Sequence, residues 1–554
     1  MDTESTARWE GGNLIVQTLA ERGVERIFSV SGGPLNSIYS ATVGSPVQVV
    51  HTRHEGGAGF MAEASARISG IPGVCLVTLG PGVTNSMTTI LTAHLGGTPL
   101  LVLAGQVPLR SLDRGAGMSF DPLPVVSPIT KWAARILDTD RIPEYLDAAW
   151  RHMLSGRPGP VFLELPSDVL TASASPDALE RRPWGGFRGP GLAAQEELAL
   201  RACLDAAHKV VLLAGDDVRW SCPEGLLQSA VEGLHVPVFL LRMARGQIHE
   251  GHPLCAGPGY VGANPALRRA LGEADCVLLI GHDFEFDLDF GQSINPTATI
   301  IQSHPEASLL GKNQAADLAL NARSDSVLNA LCGLPTLEGV DRNWSDAVAA
   351  AWRSARQEWL AEGRRSPMPM HPVRMVELVS EAMPADTVYV SSHGNIDFWA
   401  DAILQMGGPN LYLRAGQSGS LGSEIPYGVG AKLARAHNPV VVFVGDGGFA
   451  FHGFELETAA RYNAPVIVVV ADDARWGAIA MPQMRAYGVE VEMDLPRRSW
   501  ANVAESIGCR GLVANDEDQL RSACQLALES STPVVIQVEV ASVESPYMRY
   551  TSTH

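Results

Sequence analysis

At 554 residues, with 46% hydrophobic residues, 55 glycines and 36 prolines, the chain is too long for one core and reads as about three or four turn-rich globular domains. A net charge of −19 argues against nucleic acid as a partner. No apolar run reaches the roughly 18 residues a membrane helix needs, and eight scattered cysteines without a C-x-x-C pair argue against zinc or disulfide frameworks. The acidic start, Met1-Asp2-Thr3-Glu4, lacks the apolar stretch of a secretory signal, so a cytoplasmic protein is expected. Lys131, Lys209, Lys312 and Lys432 are the only lysines, which leaves few candidates for Schiff-base chemistry.

From residue 10 to 166 apolar strand runs (26–30, 47–52, 74–79, 100–104, 161–165) alternate with helical segments such as 14–22, 59–69 and 142–155. That alternation predicts a parallel sheet covered on both faces. A polar, Pro- and Gly-rich stretch containing Arg181-Arg182-Pro183-Trp184-Gly185-Gly186 reads as a linker. A second α/β unit follows, with strands expected at 210–214, 236–241, 276–280 and 297–302. It holds one literal G-x-G-x-x-G match, Gly257 to Gly262, which is expected to be a loop because Glu250 to Cys255 do not read as a strand. A helix over 341–363 bridges to a third unit with strands at 387–391, 440–444, 466–471 and 534–540, and the short tail Ser545 to His554 is polar and aromatic.

Two stretches carry chemistry. In the third unit Val440-Val441-Val442-Phe443-Val444 runs into Gly445-Asp446-Gly447-Gly448; a helix is expected over 454–462, and the next strand ends at Asp472-Asp473-Ala474-Arg475-Trp476-Gly477. Carboxyl ends of neighbouring parallel strands lie side by side, where ligands sit. Asp446 and Asp473 beside a glycine turn therefore suit Mg²⁺ holding a diphosphate. The pattern also suits an ordinary strand–helix–strand unit with two capping aspartates. In the first unit a strand ends at His51-Thr52-Arg53-His54-Glu55-Gly56-Gly57-Ala58-Gly59, and another enters Gly80-Pro81-Gly82-Val83-Thr84-Asn85. Alone, Glu55 is equally well an acidic first-turn residue of a helix.

Together these residues resemble the thiamine-diphosphate-dependent enzymes of the acetolactate synthase, pyruvate oxidase and benzaldehyde lyase group, from Gly12 to about Val540; the 27-residue separation of Asp446 and Asp473 is the spacing that family uses. The resemblance implies an α/β fold of three doubly wound parallel-sheet domains: pyrimidine-binding (1–180), central Rossmann-like (190–340) and diphosphate-binding (365–554). It implies thiamine diphosphate and Mg²⁺ as cofactors, with FAD admissible but demanded by no residue. Glu55 matches the catalytic glutamate, which hydrogen-bonds the cofactor's pyrimidine N1′ so that the ring can take the thiazolium C2 proton. Asp446, Asp473 and the Arg475 carbonyl match the metal ligands. Gly80, Asn85, His393, Gly394, Asn395, Gly419, Leu421, Gly445, Gly447, Gly448, Ala474, Trp476 and Gly477 match cofactor-binding positions, with the Gly419 carbonyl facing the 4′-amino group and Leu421 as the wedge that bends the cofactor. Ser31, Gly32, Gly33, Phe120, Glu490 and Glu492 are candidate substrate contacts.

Departures accompany the match. The family usually has asparagine at Asp473 and, in acetolactate synthases, glutamine at Gly56 and after the phenylalanine matched by Phe120, where this chain has Asp121. Benzaldehyde lyase has histidine at Pro34. The run Phe449 to Asn463 looks instead like the matching segment of oxalyl-CoA decarboxylases and 2-hydroxyacyl-CoA lyases. The implied activity is C–C bond cleavage or formation on a 2-oxo acid, 2-hydroxy ketone or related acyl substrate. A 2-hydroxyacyl-CoA lyase releasing formyl-CoA and a carbonyl, or a silent cofactor-binding relative, are the alternatives. The expected partners are a small-molecule substrate, with a CoA thioester among the candidates, and further copies of the chain: a homodimer at least, a homotetramer by preference. Neither nucleic acid nor a membrane is expected.

Overall fold

The computed structural model describes residues 9–180, 186 and 189–551. The linker run at 181–185, the segment 1–8 and the end of the tail, 552–554, fall outside the described residues. Three six-stranded sheets, all paired in parallel, organise the chain. The first holds β1 (Arg26–Ser29), β2 (Gln48–His51), β3 (Gly73–Val77), β4 (Leu100–Gln106), β5 (Trp132–Arg135) and β6 (Val161–Pro166), in the order β2-β1-β3-β4-β6-β5. The second holds β7 (Val210–Ala214), β8 (Val238–Leu240), β9 (Cys255–Pro258), β10 (Cys276–Ile280), β11 (Thr299–Ser303) and β12 (Leu318–Leu320), ordered β12-β11-β10-β7-β8-β9. The third holds β13 (Val388–Val390), β14 (Tyr412–Leu413), β15 (Val440–Gly445), β16 (Ile467–Asp472), β17 (Arg510–Ala514) and β18 (Val534–Glu539), ordered β14-β13-β15-β16-β18-β17. Helices on both faces make the inner strands continuous apolar runs; β3, β4, β7 and β10 are buried at every residue. Among the described residues no helix is long and apolar enough to cross a membrane.

The described residues pack as two compact units. One joins the first sheet to 415–436 and 452–464; the other comprises 189–414, 437–451 and 465–551. In the first unit the helix Glu55–Ser69 is buried along most of its length, which explains its run of small residues. A Cβ on Gly59 would lie 2.4 Å from Thr89, and one on Gly430, in the helix Glu424–Ala434, would lie 2.4 Å from the Met61 carbonyl oxygen. The buried Glu63 carboxylate accepts hydrogen bonds from Arg67 (2.7 Å), Thr98 (3.1 Å) and the Tyr427 hydroxyl (2.7 Å), so the charge inside this contact is paired. Gly70, with φ of 80°, ends the helix in the left-handed conformation.

In the second unit Arg245 straps the second sheet to the third. Its buried guanidinium pairs with Glu250 (2.6 Å) and Asp401 (2.9 Å) and lies 4.6 Å over the Tyr412 ring. Removing one partner of such a group leaves an unpaired buried charge.

Two sequence expectations are corrected. The glycines after β15 do not form a turn before a later helix: a helix begins at Asp446 and runs to His452, a second covers Glu455–Arg461, and Gly447 and Gly448 lie in the first turn of the earlier one. The Trp476 ring occupies the place of a Gly447 side chain, 2.4 Å from where its Cβ would be, so tertiary packing selects the glycine inside a helix. The Gly257–Gly262 run is a loop over most of its length, as expected, and 250–254 form no strand; the difference is that Gly257 and Pro258 end the short edge strand β9, with the helix Pro265–Glu273 after the loop. Its glycine is nonetheless a packing device. Gly257 has φ of +83°, and a Cβ there would lie 2.3 Å from the Trp352 ring; Asn264 caps the following helix N-terminus with its own side chain.

Candidate active site

In the first unit Glu55 opens its helix at the carboxyl end of β2 and is 8% exposed. Its Oε2 accepts a hydrogen bond from Asn85 Nδ2 (2.9 Å), on the helix Pro81–Gly96. Gly80 turns the chain into that helix with φ of +60°, and a Cβ there would meet the Met118 carbonyl at 2.6 Å. The loop carrying Gly419 and Leu421 is tied to the same helix: Thr92 Oγ1 donates to Ser418 Oγ (2.9 Å) and lies 3.0 Å from Ser420 Oγ. Gly419 is left-handed, φ +62°, and Leu421 is half-buried. Of the substrate candidates, Ser31 contacts the His51 ring (2.7 Å), Gly32 leaves no room for a Cβ beside Thr78, Gly33 is exposed, and the half-buried Phe120 accepts a bond from Gln106 through its carbonyl (3.0 Å).

His452 Nδ1 donates to the Gly422 carbonyl (3.0 Å), and its ring meets those of His54 and Phe60 edge-on. Burial, with the neighbouring His54 second, pushes its pKa down to about 4. The unfolded chain, with histidine near 6.5, therefore binds the extra proton between pH 6.5 and 4, and stability rises with pH across that window by up to about 1.4 kcal/mol per unit. Thermal unfolding from pH 4.5 to 6.5 is expected to show a shallower slope in His452→Gln than in the wild type; equal slopes would count against a buried neutral His452.

In the second unit Asp446 is 3% exposed at the end of β15, and Asp473 follows the end of β16. Burial first, then the charges of Asp473 and Asp472, raise the Asp446 carboxyl to about 7. Asp472 is engaged elsewhere, by Gln537 Nε2 (2.8 Å) and the Ala474 N–H (3.2 Å), while Asp473 accepts from the Ser542 hydroxyl (3.1 Å). Ala474 is left-handed, φ +54°, and a Gly477 Cβ would lie 2.7 Å from Asp473 Oδ2, so the turn folds tightly around that carboxylate. The Arg475 side chain pairs with Glu490 and lies 3.6 Å from Asp494, which commits Glu490 to an ion pair; Glu492 is exposed with φ of +55°.

The turn after β13 belongs to the same unit. His393 is kept neutral, its pKa lowered to about 3 by burial and then by the Arg414 charge, and its Nδ1 is buried with no hydrogen-bond partner among the described residues. Ser392 N–H donates to Asp397 (2.9 Å), a Gly394 Cβ would crowd Asp397, and Asn395 Nδ2 donates to the Val543 carbonyl (2.7 Å).

These features fit a metal diphosphate. Asp446 is buried and feels the charges of Asp473 and Asp472, a place that a cation would neutralise, and the buried His393 Nδ1 has no hydrogen-bond partner among the described residues. Among the described residues no three His, Cys, Asp or Glu side chains converge on one point, so a cation here would complete its shell with oxygens from outside the side chains, as Mg²⁺ does. The sequence places Glu455 and Tyr462 inside the run Phe449 to Asn463 but gives neither a role at the site; both reach the Glu55 turn from about 400 positions away.

This arrangement defines a cofactor-dependent enzyme, and the chain belongs to the thiamine pyrophosphate enzyme family. It matches the N-terminal TPP binding domain over 9–124, the central domain over 199–331 and the C-terminal TPP binding domain over 392–538. It is 30% identical to a probable acetolactate synthase of Mycobacterium bovis, over 97% of each chain. It is 29% identical to 2-hydroxyacyl-CoA lyase 2 of Homo sapiens, over 96% of this chain and 90% of the relative, and 28% identical to the acetolactate synthase isozyme 1 large subunit of Escherichia coli, over 98% and 96%.

Proposed function

We propose that the protein is a thiamine-diphosphate- and Mg²⁺-dependent enzyme that makes or breaks a C–C bond in a 2-oxo acid, 2-hydroxy ketone or related acyl substrate. The observation that carries the reading is Glu55: a buried carboxylate at a helix N-terminus, bonded by Asn85 and, among the described residues, by no other side chain. When bound, thiamine diphosphate supplies a carbon nucleophile and an electron sink. Glu55 would hold the proton shared with the pyrimidine N1′, the Gly419 carbonyl would accept from the 4′-amino group, and Leu421 would pack against the bound cofactor. Asp446, Asp473 and the Arg475 carbonyl hold Mg²⁺; Gly445, Gly447, Gly448, His393, Gly394, Asn395 and the Ala474–Gly477 turn surround the diphosphate. Segments 1–180, 190–340 and 365–554 serve as pyrimidine, central and diphosphate domains.

We further propose at least a homodimer, with Glu55 and the diphosphate site of one active centre drawn from different subunits. Exposed apolar residues on the helix Gly477–Tyr487 (Ile479, Met484, Tyr487) support a covered surface. Purified protein supplied with thiamine diphosphate and Mg²⁺ is expected to consume pyruvate. Formyl-CoA release from a 2-hydroxyacyl-CoA without pyruvate consumption would assign the lyase reaction instead, and failure to bind the cofactor would overturn the proposal.

A further inference from the structure

The turn that presents Glu55 is held by a segment from the far end of the chain. Strand β2 ends at His51, and residues 52–54 lead into the Glu55 helix. Against them lies the helix Glu455–Arg461. The Tyr462 hydroxyl accepts the His51 N–H (2.8 Å), Arg461 Nη2 donates to the His51 carbonyl (2.7 Å), and Glu457 pairs with the Arg53 side chain (3.0 Å). At the centre is Glu455, 1% exposed. Its Oε1 accepts the main-chain N–H groups of both Arg53 (3.1 Å) and His54 (3.0 Å), and its Oε2 accepts the Thr458 hydroxyl (2.7 Å) and a second branch of the Arg53 N–H (3.2 Å).

We infer that Glu455 is a positioning residue for Glu55, its carboxylate fixing the two peptide units from which the Glu55 side chain projects. The inference rests on the reading of Glu55 as the group that activates the cofactor. Three features support it. Two peptide N–H groups converging on one carboxylate oxygen, at 3.1 and 3.0 Å, define the orientation of both peptide planes. The carboxylate also sits in space that only glycine leaves: a Cβ on Gly57 would lie 2.2 Å from Glu455 Oε1. The second residue of the Glu55 helix is likewise confined, since a Gly56 Cβ would fall 3.0 Å from the His54 ring and 3.3 Å from the His452 ring. Finally, the Arg53 guanidinium is taken by Glu457, so Glu455 spends its buried charge on the backbone rather than on a side-chain ion pair. A carboxylate buried at such a desolvation cost acts on geometry, and sub-ångström geometry at a proton-transferring group governs rate.

The test compares Glu455→Asp, one methylene too short to reach both peptides, with Glu455→Gln, whose carbonyl oxygen keeps the two Oε1 bonds and gives up only the longer branch from Arg53, the Thr458 hydroxyl reversing to accept from the amide. The readout is the exchange of the C2 proton of bound thiamine diphosphate in D₂O with Mg²⁺, acid-quenched and followed by proton NMR, which needs no substrate. Glu455→Asp is expected to slow exchange by about tenfold or more and Glu455→Gln to stay within about threefold, at similar melting temperatures. In cofactor-free protein, amide hydrogen exchange at 53–56 should quicken in Glu455→Asp alone. Wild-type C2 exchange in Glu455→Asp, or equal slowing in both variants, overturns the inference. Wild-type exchange in Glu55→Gln overturns the underlying reading of Glu55, so the two failures are distinguishable.

Discussion

Glu55→Gln is expected to lower turnover by roughly 10²–10⁴-fold, the range general acid–base groups contribute, while leaving the fold and cofactor affinity largely intact. The glutamine has the same shape, so neither the buried helix start nor the packing of Gly56 and Gly57 is disturbed. Its hydrogen bonding is not the same. Asn85 donates to Glu55 Oε2 through its amide nitrogen. To keep that bond the glutamine must turn its own oxygen toward Asn85, which places an NH₂ group where the other carboxylate oxygen stood. A group that could accept or hand over a proton becomes one that only donates, and the pyrimidine N1′ meets a donor with no proton to release. Steady-state kinetics on the substrate found by the pyruvate and acyl-CoA assays, alongside calorimetric titration with thiamine diphosphate, separates the two effects. Undiminished turnover would remove Glu55 from the mechanism.

The parts of the fold legible in the sequence are the inner strands, joined by the edge strand β2, whose Gln48–His51 lies within the expected run 47–52. The inner strands β1, β3, β4, β6, β7, β10, β11, β13, β15, β16 and β18 all coincide with expected apolar runs, because a parallel strand between helix layers must be apolar on both sides. The strands that escaped, β5, β9, β12, β14 and β17, are all sheet edges. β5 is half-buried throughout, β17 is mostly half-buried or exposed, and β14 is two residues long. Such strands carry neither a continuous run nor a clean alternation, and β9, though buried at all four residues, reads Cys-Ala-Gly-Pro, whose glycine and proline break the strand pattern. β8 shows the same limit in length, since only Val238–Leu240 of an expected 236–241 pairs.

The site divides along similar lines. Glu55, Asn85, Asp446 and Asp473 stand at strand ends or helix starts, where a local pattern of strand, glycine and acid announces them. The acids at 490 and 492 carried no such frame; the structure gives the first to Arg475 and leaves the second exposed. Glu455 shows the opposite failure. Its first-turn position on a helix is a common local pattern, and only the fold reveals that its carboxylate serves a turn some 400 residues upstream. Gly447 has a packing reason that the sequence does not reveal: the Trp476 ring fills the place of its side chain.

Asp446→Asn is expected to act in opposite directions on stability and on cofactor binding. Without a cation Asp446 is an unfavourable residue: it is buried and faces the charges of Asp473 and Asp472. Removing its charge removes repulsion and leaves an amide of the same size, so the cofactor-free variant should melt at or above the wild-type temperature. The same change takes away one of the two carboxylates proposed to hold Mg²⁺, and a neutral amide would not balance a divalent ion beside Asp473 as a carboxylate would. For the wild type, thiamine diphosphate with Mg²⁺ at about a hundred times its dissociation constant should stabilise the folded state by about 2.7 kcal/mol. That shift should collapse in the variant, and in the wild type it should collapse on adding EDTA. Differential scanning fluorimetry of both proteins, with and without thiamine diphosphate, Mg²⁺ and EDTA, measures all of these together. A wild-type thermal shift in Asp446→Asn would exclude this carboxylate as a metal ligand. A variant less stable than the wild type even before cofactor is added would mean that Asp446 holds the β15 turn in place rather than waiting for a cation.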